Sequence, residues 1–321
     1  MLVDTFGRTI DYLRVSVTDR CNLRCQYCMP VEGMPRLPHG DILTYEEIEA
    51  FLRVAVAEGI RHVRLTGGEP LARLGILSLV EKLAAIPDLE DLSLTTNGIL
   101  LAGLAESLHA AGLKRVNIGV SSLDPETYRT ITRGGDLQEV LKGLETAVRV
   151  FDSVKVNVVV MRGVSDDPAS FLELTRRYPV EVRFIEYMPI GPKDSGLAYV
   201  PTEELLQRLE AFGPFEPVGD AVGNGPAANR RRIPGAPGSF ATITPVSEHF
   251  CAACSRLRLT SDGHLRLCLL VRGEVDVKSA LRPQPDPDRI RELLRQSVAA
   301  KPAGIALGTD VRGLGMSQIG G

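Results

Sequence analysis

No run of about 18 apolar residues occurs anywhere in this 321-residue chain, so nothing in it reads as a membrane-spanning helix. The opening stretch, MLVDTFGRTIDYLR, lacks the apolar core of a signal peptide, and neither a solenoid repeat nor a low-complexity block follows it. A surplus of positive charge is missing too. The 37 basic and 40 acidic residues leave a formal −3, which argues against general binding to nucleic acid or to an anionic membrane. At 24% charged and 44% hydrophobic the chain is an ordinary globular protein, not a disordered one. These absences predict a cytoplasmic location, where thiols stay reduced and cysteines serve metals or catalysis. The length fits two domains of about 150 residues or one large barrel. A chain of this size buries roughly three-quarters of its unfolded surface, so it needs no staples merely to fold.

What is present is alternation. Strand-like runs at 12–18, 62–66, 91–95, 115–120, 154–160 and 182–187 are separated by segments with helical periodicity. In the segment 45–58, for example, Ile48, Phe51, Leu52 and Ala55 share one face. Thr44 and Glu47 have the spacing of a capping box, and Asp124-Pro125 offers a cap followed by proline at the first helical position. Six such βα units predict a parallel sheet or barrel with right-handed crossovers. Chemistry in those folds gathers at the C-terminal strand ends, here 19–29, 67–70, 96–98, 121–124 and 188–191. After residue 200 the pattern changes. A helix is expected at 203–212, and a Gly- and Pro-rich loop at 213–239 that carries Arg230-Arg231-Arg232. A hairpin of 256–260 and 265–270 around Asp262-Gly263, a helix near 288–299 and a tail ending in Gly320-Gly321 complete the chain. The expected division is 1–200 and 201–321.

The six cysteines form two sets of three, Cys21-x3-Cys25-x2-Cys28 and Cys251-x2-Cys254-x13-Cys268. Odd-numbered sets do not make a disulfide framework. Structural zinc is one reading, with His249 or His264 completing the second set, but the first set has no histidine nearer than His39. Iron–sulfur ligation is the other: three thiolates around a cubane leave one iron free to bind a small molecule. The first spacing, with Tyr27 inside it, and the turn Gly67-Gly68-Glu69-Pro70 after the second strand together resemble the radical S-adenosylmethionine superfamily. For the second set, spacing alone leaves zinc and iron equally open.

Cations supply the remaining signal. From Cys251 to Arg272 there are four arginines (256, 258, 266, 272) against one acid, Asp262. Arg256 and Arg258 stand two apart on an expected strand, hence on one face, and arginine binds phosphate oxygens bidentately. A charged edge strand that resists aggregation is the ordinary alternative. Arg14, Lys155 and Arg183 interrupt strands that should be apolar throughout. Such cations need either internal acid partners, for which Glu186 and Asp11 are candidates, or a polyanionic ligand such as a triphosphate.

Residues 14–30 (RVSVTDRCNLRCQYCMP), 66–71, 184–189, 249–270 and the final Gly320-Gly321 together resemble the GTP 3′,8-cyclases of molybdenum-cofactor biosynthesis. The resemblance runs in one order from about Phe6 to Gly321. It implies a partial (βα)6 TIM-like barrel with a C-terminal α+β cap that carries a second cluster. It implies that Cys21, Cys25 and Cys28 hold a 4Fe–4S cluster that binds S-adenosylmethionine, contacted also by Tyr27, Gly68 and Met188. Gly119 occupies a cofactor-contacting position that is serine in relatives, so that contact is lost or made by backbone. For GTP the resemblance points to Arg14, Arg64, Thr95, Lys155, Arg256 and Arg258, with Arg183 a further candidate. Cys251, Cys254 and Cys268 would hold a second 4Fe–4S cluster whose open iron meets the guanine ring.

The implied reaction is abstraction of hydrogen from C3′ of GTP by a 5′-deoxyadenosyl radical, followed by attack of the carbon radical on C8. The terminal Gly320 and Gly321, a frayed tail by sequence physics alone, would reach that catalytic site beside Arg256 and Arg258. The resemblance further implies a homodimer, an external electron donor and transfer of product to cyclic pyranopterin monophosphate synthase. Ser255, where relatives carry asparagine, and Arg73-Leu74-Gly75, which lacks a usual acidic residue, depart from the pattern. Two alternatives remain at this stage: a peptide maturase with an auxiliary cluster, and a non-catalytic zinc protein that binds nucleic acid through Arg230-Arg231-Arg232.

Overall fold

The computed structural model describes residues 1–188, 190, 196–219, 229–248, 250–271, 273–304 and 316. The first half follows the expected alternation: β1 (Tyr12–Ser16), α1 (Tyr45–Glu58), β2 (His62–Thr66), α2 (Ile76–Ala84), β3 (Asp91–Thr96), α3 (Ala105–Ala110) and β4 (Arg115–Gly119). Two helices, α4 (Pro125–Thr132) and α5 (Leu137–Val150), then lead to β5 (Ser153–Val160), α6 (Ala169–Arg177) and β6 (Val180–Glu186). The caps act as their spacing predicted. Thr44 accepts from the Glu47 amide while the Glu47 carboxylate accepts from the Thr44 amide, and Asp124 accepts from the Thr127 amide ahead of Pro125. Glycine at residue 59, with φ 123°, ends α1 in a conformation that a side chain would resist.

Strands β1 to β6 pair in parallel in chain order. Their apolar residues build the core: Leu13, Val15, Val63, Leu65, Leu94, Val116, Ile118, Val156 and Val182 are fully buried, as are Phe51 and Leu52 of α1. These residues pack one face of the sheet against the helices, which is why apolar residues recur along each strand.

Beyond residue 200 the chain extends the same sheet at both edges. After α7 (Thr202–Glu210) come the short β7 (Glu216–Pro217) and β8 (Arg231–Arg232), then β9 (Ser239–Ile243), which pairs in parallel with β6. At the opposite edge β10 (Arg256–Leu259) pairs in parallel with β1, and β11 (His264–Arg266) and β12 (Glu274–Asp276) continue antiparallel. The full order is β12-β11-β10-β1-β2-β3-β4-β5-β6-β9-β8-β7. Residues of β1 to β6, the end of β9 and β10 all line one cavity, so the sheet curls around it as a partial barrel. The last helix, α8 (Pro287–Ala299), returns to α1, where Arg291 and Arg295 both pair with Glu58 at 2.9 Å.

Two expectations are corrected. The segment 213–239 is not only loop, since it contains β7 and β8 and opens β9, a strand hidden by the Gly and Pro around it. Gly238 permits that strand, because a Cβ there would sit 2.6 Å from the carbonyl oxygens of Tyr178 and Val180. The hairpin's second strand stops at Arg266, where the chain turns toward Cys268. Among the described residues no helix is long and apolar enough to cross a membrane.

Leu257 is fully buried opposite Leu13 in the β1–β10 register. Leu257→Ala should lower the unfolding free energy by about 2–5 kcal/mol in denaturant titrations followed by circular dichroism. A loss below about 1 kcal/mol would show that β10 is not part of the barrel core.

Candidate active site

The cavity inside the curled sheet measures about 800 Å³. Both cysteine triads line it, Cys21, Cys25 and Cys28 as well as Cys251, Cys254 and Cys268. So do Tyr27, Gly68, Gly119 and Met188, and so do Arg14, Arg64, Thr95, Lys155, Arg183, Arg256 and Arg258. Gly320 and Gly321 lie outside the described residues, as do His249 and Arg272.

Register places the cations. Arg14 stands level with Arg258 on one neighbouring strand and Arg64 on the other, and Arg64 is level with Ser93 of β3. Level residues of adjacent strands project from the same face, so three guanidiniums share one row. Around the barrel Thr95, Asn117, Lys155 and Glu181 form a second row, with Asn157 level with Arg183. Tyr12 lies inside the cationic group. Its ring stacks on His62 with centroids 6.1 Å apart, and Arg64 and Arg256 lie over it at 5.5 and 6.0 Å.

Burial and mutual repulsion disfavour the charged forms of these cations. Arg14 is pulled well below the ordinary arginine range by burial first and then by Arg258 and Arg64, and its Nε has no hydrogen-bond partner among the described residues. Burial followed by Arg256 lowers Arg258 to about 10. Lys155 falls to about 8, through burial and then Arg183. The buried oxygens Tyr12 OH and Asn157 Oδ1 likewise find no partner. A polyanion with hydroxyls fits this lining: it would neutralise the charge and fill the open donors and acceptors.

Neither acid expected to neutralise the strand cations does so. Glu186 is 4% exposed and accepts instead from Val246 N at 2.8 Å, Ser247 N at 3.0 Å, Ser247 Oγ at 2.5 Å, Tyr199 OH at 2.9 Å and the Thr202 hydroxyl. Those donors overcome burial and hold its carboxyl below the usual range. Asp11 makes no ion pair among the described residues. The acid that matters is Glu181, which pairs with Arg183 and lies 3.5 Å from Arg230. Its position two residues before Arg183 on a strand, hence on the same face, was the available signal.

The N-terminal cysteine loop is held against the end of α4. Arg24 N and Gln26 N donate to Thr132 O and Ile131 O at 3.2 and 2.9 Å, and Arg133 donates to Arg24 O and Met29 O, both at 2.8 Å. Gly68 packs so tightly on the chain entering this loop that a Cβ would overlap Arg20 O and C. Glycine there serves backbone packing as well as any ligand. Its neighbour Glu69, 1% exposed, accepts from Leu71 N, Thr96 Oγ1 and Asn97 N, yet burial still raises it to about 7. Gly119 differs, since a Cβ would meet only Thr96 O at 3.8 Å.

Thiolate ligation fits both triads. Leu23 N points at Cys21 Sγ and Leu270 N at Cys268 Sγ, each at 3.4 Å, and the Arg256 amide does the same for Cys254. Amides aimed at sulfur favour the deprotonated form that iron or zinc needs. The surroundings differ. Burial pushes Cys25 up to about 12, with Cys21 adding to the rise. Burial also opposes ionisation of Cys254, but Lys301, the Arg256 amide and guanidinium, and Arg8 together bring it below the usual thiol range. Among the described residues no three Cys, His, Asp or Glu side chains converge closely enough for a single ion. His264 Nδ1 lies 3.2 Å from Asp262 Oδ2, and His264 is not among the cavity-lining residues.

Two basic residues near the distal triad had no sequence signal. Arg8, paired with Asp4 at 2.6 Å, donates to the carbonyls of Cys251, Pro302 and Ala303. Lys301 donates to Arg256 O and Leu267 O. The segment just after Lys301 passes close to the triad, where a Cβ on Gly304 would lie 3.6 Å from Cys251 Sγ.

Residues 15–175 match the family model of the radical SAM superfamily, and residues 180–307 that of Molybdenum Cofactor Synthesis C. The chain is 50% identical over 322 residues to the GTP 3′,8-cyclase of Moorella thermoacetica, covering 99% of each. Identity to the Listeria monocytogenes GTP 3′,8-cyclase is 46% over 94% of this chain and 91% of the relative. The Geobacter sulfurreducens protein of the same name is also 46% identical, over 100% and 99%. Among solved structures, Streptococcus suis SuiB bound to S-adenosylmethionine shares the fold, with a TM-score of 0.60, 15% identity, and coverage of 88% of this chain and 68% of that one. With cysteine loop, glycine turn and partial barrel in the same order, the chain belongs to the GTP 3′,8-cyclase family of radical SAM proteins.

Proposed function

We propose that this protein converts GTP to 3′,8-cyclo-7,8-dihydroguanosine 5′-triphosphate, the first step of molybdenum-cofactor biosynthesis. One observation carries the reading: two cysteine triads and a row of buried or half-buried cations, Arg14, Arg64 and Arg258, open onto the same cavity. Several guanidiniums gathered on one face suit a triphosphate, whose oxygens arginine binds bidentately, better than a peptide.

Cys21, Cys25 and Cys28 hold the proximal 4Fe–4S cluster, with S-adenosylmethionine bound beside Tyr27, Gly68, Gly119 and Met188. When bound, this pair supplies the 5′-deoxyadenosyl radical. Arg14, Arg64, Arg256 and Arg258 grip the triphosphate from β1, β2 and β10, while Lys155 and Arg183 reach it from β5 and β6. Thr95 adds a hydroxyl from β3. Cys251, Cys254 and Cys268 hold a second 4Fe–4S cluster at the base end. Fixing both ends of the nucleotide holds C3′ in one place and excludes water, which limits abstraction from other carbons. The terminal Gly320 and Gly321 belong to the same site in this proposal. It extends to a cytoplasmic homodimer, an external electron donor and a downstream cyclic pyranopterin monophosphate synthase.

Anaerobic incubation of the reduced protein with S-adenosylmethionine and GTP tests the proposal. 5′-Deoxyadenosine formed while GTP stays unchanged would sink the cyclase reading. Cys25→Ala should abolish 5′-deoxyadenosine formation, and Cys268→Ala should abolish the GTP-derived product while slow uncoupled cleavage survives; chromatography of both products checks each outcome.

A pH dependence follows from Lys155. In the nucleotide-free cavity its ammonium titrates at about 8, and the triphosphate binds the protonated form. Affinity contributed by Lys155 is therefore complete below that pH and lost as pH rises through it. Lys155→Met should weaken GTP binding about tenfold or more at pH 7 and flatten the decline between about pH 7 and 9, read by calorimetry. An equally steep decline in the variant would assign the titration elsewhere.

A further inference from the structure

Lys301, 3% exposed, is the one fully buried lysine among the described residues. It stands two residues beyond α8 and lines the cavity. Its Nζ donates to Arg256 O at 2.9 Å and to Leu267 O at 2.8 Å. The first carbonyl lies two residues after Cys254 and the second one residue before Cys268. A single ammonium therefore ties together the two backbone stretches that present these cysteines.

Two other buried cations at this end have acids. Arg8 pairs with Asp4 at 2.6 Å, and Arg266 pairs with Glu274. Lys301 has no carboxylate partner among the described residues. Carbonyl dipoles solvate an ammonium without neutralising it, and a buried charge without a counter-charge is costly. Its counter-charge is accordingly to be found in the cavity. On the two-cluster reading, on which this inference rests, one is at hand: three thiolates carry more negative charge than an oxidised cubane core carries positive, and an added electron deepens the excess. Net charge near a cluster is one of the levers that set its potential.

We propose that Lys301 is the charge-compensating and positioning residue of the distal cluster: its ammonium offsets the net negative charge of a 4Fe–4S core on Cys251, Cys254 and Cys268 and holds that cluster's reduction potential up. The ammonium is anchored on backbone carbonyls and is not among the guanidiniums assigned to the triphosphate.

The test uses the full-length protein reconstituted anaerobically as wild type, Lys301→Arg, Lys301→Gln and Lys301→Met. Iron and sulfide are counted per chain, and both clusters are followed by electron paramagnetic resonance during redox titration. The distal potential should track side-chain charge, with arginine near wild type and glutamine and methionine shifted to more negative values, while the proximal potential stays fixed. The same distal potential in all four chains would overturn the role of Lys301 and leave the second cluster intact. Iron sufficient for only one cluster in the wild type would overturn the two-cluster reading itself. Should neither neutral variant retain the distal cluster, its occupancy becomes the readout: retention in Lys301→Arg supports the proposal, and loss there as well overturns it.

Discussion

Buried positive charge is the constraint around which this barrel is organised. Arg258, Arg14 and Arg64 lie level on three adjacent parallel strands, where apolar side chains would make the more stable sheet. Each guanidinium is disfavoured by burial and again by its neighbours. The sheet tolerates this because every other residue of these strands packs a dry core on the opposite face, with Leu13, Val15, Val63, Leu65, Leu257 and Leu259 all fully buried. Stability thus comes from the outer face and function from the inner one, an allocation that the two-residue period of a strand provides without further machinery. The inner face is held ready for an anion in the way that binding sites commonly retain electrostatic strain.

The same constraint accounts for the way the chain closes. A parallel barrel of six strands has two open edges. Here the C-terminal region supplies a strand to each, β9 beside β6 and β10 beside β1. Because β10 pairs with β1, Arg256 and Arg258 fall into register with Tyr12 and Arg14, and the second cysteine triad comes to the cavity that holds the first. Under the proposed function, substrate recognition is in this sense a consequence of edge pairing. Sheet edges need covering in any case, and here the cover also carries chemistry.

The two triads stand in different electrostatic surroundings. At the proximal one burial raises Cys21 and Cys25, with Glu69 adding to the rise at Cys21, whereas at the distal one Cys254 stands in the field of Lys301, Arg256 and Arg8. Clusters in these two places would experience unlike charge environments, which suits the unlike tasks proposed for them.

Much of this was legible in the chain itself. The βα alternation, the capping box at Thr44, the two cysteine spacings and the interruption of apolar strands by Arg14, Lys155 and Arg183 depend on local periodicity and residue chemistry, which a linear sequence carries in full. What stayed hidden was long-range. β9 was masked by the Gly and Pro around it. By sequence Glu186 is a candidate counter-ion, because nothing local shows that Val246, Ser247, Tyr199 and Thr202 converge on it. Lys301 and Arg8 carry no local signal, since each acts on residues tens to hundreds of positions away. The sequence by itself determined which groups are available and how strands and helices alternate, because those follow from side-chain type at short spacing. Only the tertiary structure decided which cations share a face, which acids answer them and that both triads meet in one cavity, because register between distant strands is set by packing and not by neighbours in the chain.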